Sequence, residues 1–80
     1  MSINNEVSLC DLKSGERGAI LHVEGGHGLV GRLSALGFTP GATVDVVRND
    51  KYGPLIVSVL DTQIALGRGQ ASRVRVRRKV

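Results

Sequence analysis

The chain has 80 residues, a formal net charge of +4, a single cysteine, one Phe, one Tyr and no Trp. A domain of this size buries about two thirds of its unfolded surface, so Val, Leu, Ile and Ala must supply the core. Cys10 alone excludes an internal disulfide and any site that needs paired cysteines, and it points to a reducing compartment.

The charge is unevenly placed. Residues 1–61 carry a net −2, and residues 62–80 carry +6 from Arg68, Arg73, Arg75, Arg77, Arg78 and Lys79 with no acid among them. Such a distribution predicts an interaction face or tail at the C-terminal end rather than a uniformly basic body. Met1 to Glu6 has neither the basic start nor the apolar run of a signal peptide. The longest apolar segment, Leu55 to Leu60, is interrupted by Ser58 and is too short to cross a bilayer. The expectation is a soluble, cytoplasmic, single domain over residues 1–80, with a core at 7–76 and a basic end at 77–80.

In chain order, Val7 to Leu12 reads as an ordered lead-in, with Leu9 and Leu12 spaced to bury on one turn. Lys13-Ser14-Gly15-Glu16 is turn chemistry. Arg17 to Val23 is predicted as a strand with Ala19, Leu21 and Val23 on one face and Ile20 and His22 on the other. A Gly25-Gly26-His27-Gly28 loop leads into a short helix over about Leu29 to Leu36, whose apolar stripe is Leu29, Leu33 and Leu36. Gly37 stands where a helix ends in a left-handed residue, Phe38 where a side chain folds back onto the last turn, and Pro40-Gly41 at the centre of a type II turn.

A second strand, Ala42 to Arg48, alternates Val44 and Val46 against Thr43 and Asp45. Asn49 to Pro54 is a hairpin connection. Leu55 to Leu60 is apolar on both faces and reads as a central strand, and Asp61-Thr62 as a tight turn into Gln63 to Leu66. Gly67 to Ser72 interrupts with one helical turn. Arg73 to Arg77 then alternates valines inward with arginines outward. About five short antiparallel strands and one short helix predict a small β-barrel, since closure removes sheet edges in a chain too short for a sandwich.

Gly26-His27-Gly28-Leu29-Val30-Gly31 matches G-x-G-x-x-G, but a dinucleotide site needs a longer crossover helix returning to a parallel strand, and the surrounding pattern is hairpins. His22, His27, Glu24 and Cys10 are the candidate soft metal ligands. Their spacing falls short of a four-ligand structural site, so no metal or cofactor is expected. No serine, histidine or cysteine sits in a nucleophile–base pattern, so no catalytic residue and no enzyme is expected. The arginine face offers a grip for phosphates or for an acidic surface, yet it lacks the interleaved aromatics of single-strand readers.

The set Leu9-x-x-Leu12-x-x-Gly15, Ile20, Arg32-Leu33-x-x-Leu36-Gly37-Phe38-x-Pro40-Gly41, Gly53-Pro54-Leu55, Ile64-Ala65-Leu66, Ala71 and Val74-x-Val76 resembles the FeoA family over roughly Val7 to Val76. That resemblance implies an SH3-like β-barrel of the bacterial ferrous iron uptake system, without catalysis of its own. It also implies a partner, the FeoB membrane iron transporter with its cytoplasmic GTP-binding domain. The same module occurs at the C-terminus of DtxR-type repressors, whose DNA-binding and dimerisation domains this chain has no room for. Gly67-Arg68-Gly69 departs from the family pattern, and Arg77-Arg78-Lys79 lies beyond it. Docking on FeoB, peripheral to the inner membrane, with an effect on its GTPase or transport activity, is therefore the expected function. The anticipated contact residues are Phe38, Tyr52, Pro54, Leu55, Arg73 and Arg75. The competing expectation is a nucleic-acid-binding SH3-like module acting through the C-terminal arginines, and a weaker third is a metal-sensing module.

Overall fold

The computed structural model describes residues 6–50 and 52–79. Expectations that fall on residues 1–5, Lys51 and Val80 lie outside the described residues. Six strands form one antiparallel sheet: β1 Glu6–Ser8, β2 Arg17–Val23, β3 Thr43–Arg48, β4 Leu55–Val59, β5 Thr62–Leu66 and β6 Val74–Lys79. The hydrogen-bonded order is β1-β6-β2-β3-β4-β5, so β1 and β5 remain edges. The sixth strand, absent from the sequence expectation, is β1. Its Val7 pairs with Val76 of β6, a contact nearly the full chain length away that no local pattern announces. Ser8 ends it and opens a single 3-10 turn, Leu9–Asp11, by accepting the Cys10 N–H, while the Asp11 carboxylate accepts the Ser8 N–H. That reciprocal pair satisfies donors the turn would leave bare.

Helix α1 spans His27–Ala35 and α2 is one turn, Arg68–Ala71. At the end of α1, Gly37 has φ +106°, its N–H donates to the Ser34 carbonyl and the Phe38 N–H donates to the Leu33 carbonyl, both at 3.0 Å. This is the Schellman pattern, and Phe38, the residue after the stop, is buried in the core with Leu33. Gly41 follows with φ +90°, and the Ala42 N–H closes a type II turn on the Thr39 carbonyl. Leu36 departs from the predicted stripe. As the C-cap residue it turns out to 43% exposure, while Leu33 is buried and Leu29 packs at the core margin.

One core runs under the sheet: Leu9, Leu12, Ile20, Leu33, Phe38 and the inward residues of β3 to β6. Val44 and Val46 point inward as predicted. In β2 the predicted faces fail, because the register shifts between Ile20 and His22. The extra residue reverses alternation, so Ile20 is buried and Val23 packs on the same core, while His22 is exposed. A second shift between Val46 and Arg48 puts both Val47 and Arg48 at the surface. The β4–β5 turn lies on Leu60 and Asp61, with φ +51° and +62°, one residue earlier than predicted, and β5 starts at Thr62. β2 and β3 pair antiparallel, which rules out the parallel crossover that the glycine fingerprint would require. β6 continues through Lys79, so Arg77, Arg78 and Lys79 are ladder residues rather than a frayed basic end.

Candidate docking surface

Six residues were anticipated as contacts, and the fold separates them. Phe38 and Leu55 are buried, at 1% and 0% exposure. Both belong to the core, because Phe38 completes the helix stop and Leu55 begins β4 on its inward face. Neither can present itself to a partner, which corrects that expectation. Tyr52 stands at 81% exposure, and Pro54 beside it is exposed. Arg73 is exposed, held by its backbone carbonyl, which accepts the Glu24 N–H at 2.7 Å. Arg75 is turned to Glu6 at 3.0 Å and is half-buried.

Register also divides the accessible ones. Val74 pairs with Val23, whereas Arg17 pairs with Asp45 near the end of β3. Arg73 therefore sits at one end of β2, and the β3–β4 hairpin projects from the other.

That hairpin has an apolar tip on a polar, well-tied base. Val47, at 45% exposure, joins Tyr52 and Pro54 at the surface. The base is Asn49. Its side-chain N–H2 donates to the carbonyls of Cys10 (3.0 Å) and Leu12 (2.6 Å), and its backbone N–H to Ser14 Oγ (2.8 Å). Its Oδ1 accepts from Arg68 Nη2 at 2.8 Å. One amide thus clamps the lead-in turn, the end of β3 and α2. Sequence reading assigned Asn49 to a turn and missed this role, since every side-chain partner is distant in sequence.

The arginine face is largely committed internally. Besides Arg75–Glu6, Arg78 pairs with Glu16 at 3.2 Å and donates to the Asp11 carbonyl, Arg17 pairs with Asp45, and Lys79 donates to Thr43 Oγ1. An open, shallow depression of about 520 Å³ lies among Gly15, Glu16, Arg17, Asp45 and Lys79. It is lined by charges of both signs, with no nucleophile–base pair. His22 and Glu24 approach at 3.6 Å on the surface, and among the described residues no group of three or more His, Cys, Asp or Glu comes together. No helix among them is long and apolar enough to cross a membrane.

A second apolar spot includes a residue that the sequence reading assigns to the end of a strand. Leu60, at 73% exposure, lies over Gly37, the residue that follows the exposed Leu36 in the chain. The signal was present: positions 55, 57, 59 and 64, 66 alternate, and extending the second set back to 62 leaves two residues between the strands, the spacing of a two-residue hairpin loop.

A family model described as the FeoA domain matches residues 7–78. "Putative Fe(2+) transport protein A" of Methanocaldococcus jannaschii is 36% identical over 64 residues, which is 80% of this chain and 77% of that protein. A crystal structure of an iron uptake regulatory protein, FeoA, superposes with a TM-score of 0.87 at 38% identity, covering 92% of this chain and 99% of the other. FeoA of Stenotrophomonas maltophilia, solved with zinc and described as a prokaryotic SH3 domain protein, gives a TM-score of 0.79 at 31% identity over 88% of each chain. A manganese-dependent transcriptional repressor shares the fold alone, with a TM-score of 0.86 at 14% identity, over 99% of this chain and 45% of that one.

Proposed function

The chain belongs to the FeoA family, and from that premise we propose that it is a binding accessory of ferrous iron transport that docks on the cytoplasmic part of the FeoB transporter and modulates its GTPase or transport activity. Docking of this kind would hold it at the inner membrane peripherally. The observation that carries the reading is the hairpin tip. Tyr52 and Pro54 are both exposed in the connection after β3, and Val47 is exposed near the end of β3; exposed aromatics such as Tyr52 are typical centres of protein interfaces. The Asn49 clamp at its base pre-organises the tip, which lowers the ordering cost of binding. Arg73 is a candidate rim contact at the other end of β2.

The test is co-sedimentation of the purified chain with FeoB-containing membranes, with and without GTP, across a salt series. Retention that depends on FeoB and survives moderate salt is expected, because an apolar anchor is little screened. Tyr52→Ala should weaken retention by about tenfold, the effect of losing roughly 1.4 kcal/mol of contact. Unchanged retention of Tyr52→Ala would remove the tip from the interface. Binding that transfers to nucleic acid and falls steeply with salt would replace this reading by the arginine-face one.

A further inference from the structure

The two edges of the sheet are built differently. β1 is a three-residue strand that carries the Glu6–Arg75 ion pair. β5 is a five-residue strand, Thr62-Gln63-Ile64-Ala65-Leu66, bordered only by β4. It has no charge, no proline and no register shift, which are the features that usually keep an edge strand from pairing.

Which backbone groups face outward follows from the turn before it. A two-residue turn with both central residues at positive φ closes on a hydrogen-bonded pair, here Val59 and Thr62. Alternation makes Val57/Ile64 and Leu55/Leu66 bonded pairs, and leaves Ser58/Gln63 and Ile56/Ala65 as the open ones. The N–H and C=O groups of Gln63 and Ala65 therefore point away from β4. Both residues are exposed, and among the described residues no strand or loop backbone bonds them from that side.

We propose that this edge pairs with the same edge of a second copy of the chain, antiparallel about Ile64, to give a two-fold dimer with one continuous sheet. In that register Gln63 faces Ala65 of the partner subunit, and each such pair exchanges both of its N–H···O bonds. Ile64 faces Ile64 of the partner subunit, and Thr62 faces Leu66 of the partner subunit. A neutral strand meets its own copy without opposing like charges, as pairing directly across a ladder requires. Pairing of β5 with β1 of another copy would engage fewer residues and would be head-to-tail, an arrangement that need not close. One five-residue edge buries less surface than a stable interface needs, so the dimer is weak, with Kd on the order of 0.1–1 mM.

The experiment is sedimentation equilibrium with amide NMR on the full chain, from about 0.05 to 1 mM. The expected result is a rising average mass, with concentration-dependent shifts and slowed amide exchange at Gln63 and Ala65. Gln63→Lys/Ala65→Lys changes two exposed side chains, so the fold is kept while like charges meet across the pair. It should weaken dimerisation by about tenfold or more, and mixing it with Gln63→Glu/Ala65→Glu should restore association as a heterodimer. A chain that stays monomeric at about 1 mM overturns the proposal. So does a dimer indifferent to the lysine pair, or one whose shifts centre on Tyr52 or Leu60.

Discussion

The two ends of β3 are held by different kinds of interaction. At its start, Gly37, Phe38, Pro40 and Gly41 work within a few residues of one another: the bonds that stop the helix and close the turn are local, and the Gly41 N–H adds a tie to the Ile20 carbonyl of β2. At its end, Asn49 reaches residues 35 to 39 positions back and Arg68 19 positions on. The first end is a sequence of conformational preferences. The second is a cross-link between elements that must already be assembled. Local preference shapes a corner before the fold exists, whereas Asn49 rewards only the finished fold.

Substitutions can break this contrast. Gly37→Val should have the largest effect. A β-branched residue resists φ +106°, and any Cβ there would lie 2.9 Å from Leu60 Cδ1. A loss of about 3 kcal/mol in urea unfolding is expected, chiefly from the backbone strain, since the mostly exposed Leu60 side chain can swing aside. A variant of full stability would mean that the helix stop tolerates another backbone.

Asn49→Ala comes next, at about 2 kcal/mol, because the carbonyls of Cys10 and Leu12 and the Arg68 guanidinium lose a partner in a part-buried site. If that corner is cooperative, the Asn49→Ala/Arg68→Ala double variant should cost less than the two single changes together, with a coupling of about 1 kcal/mol. Strict additivity would reduce the clamp to independent bonds.

The smallest effect tests the turn that obeys neither rule. Leu60 sits at φ +51° in a hairpin position that favours Asn or Gly. Leu60→Asn should raise stability by about 0.5 kcal/mol in the same unfolding assay, since the residue is mostly exposed. A loss instead would show that its packing over Gly37 outweighs the backbone strain.

Much of the molecule was legible from residue order. The helix stop and type II turn, the inward Val44 and Val46, the buried Leu9 and Leu12, and the one-turn helix after Gly67 all follow from preferences acting over a few positions. The candidate surface was legible only in part. Tyr52 and Pro54 were identified and are exposed, but Leu55 and Phe38 were placed outside when their alternation and clasp positions put them inside. Leu36 was misplaced because the helix ends on it and turns it outward as the cap residue, and Leu60 was missed because a leucine in a left-handed turn runs against propensity.

What the sequence determined by itself, then, is each corner whose cause is a φ preference, a cap or a two-residue period. Only the tertiary structure decided the rest: β1 as a sixth strand on β6, the shift at Leu21 that turns Ile20 and Val23 to one side, the Asn49 clamp, and the Glu6 and Glu16 partners of Arg75 and Arg78. These depend on contacts between residues far apart in the chain. Their energies appear only after the loop entropy of bringing those residues together has been overcome, so nothing in the neighbouring residues records them.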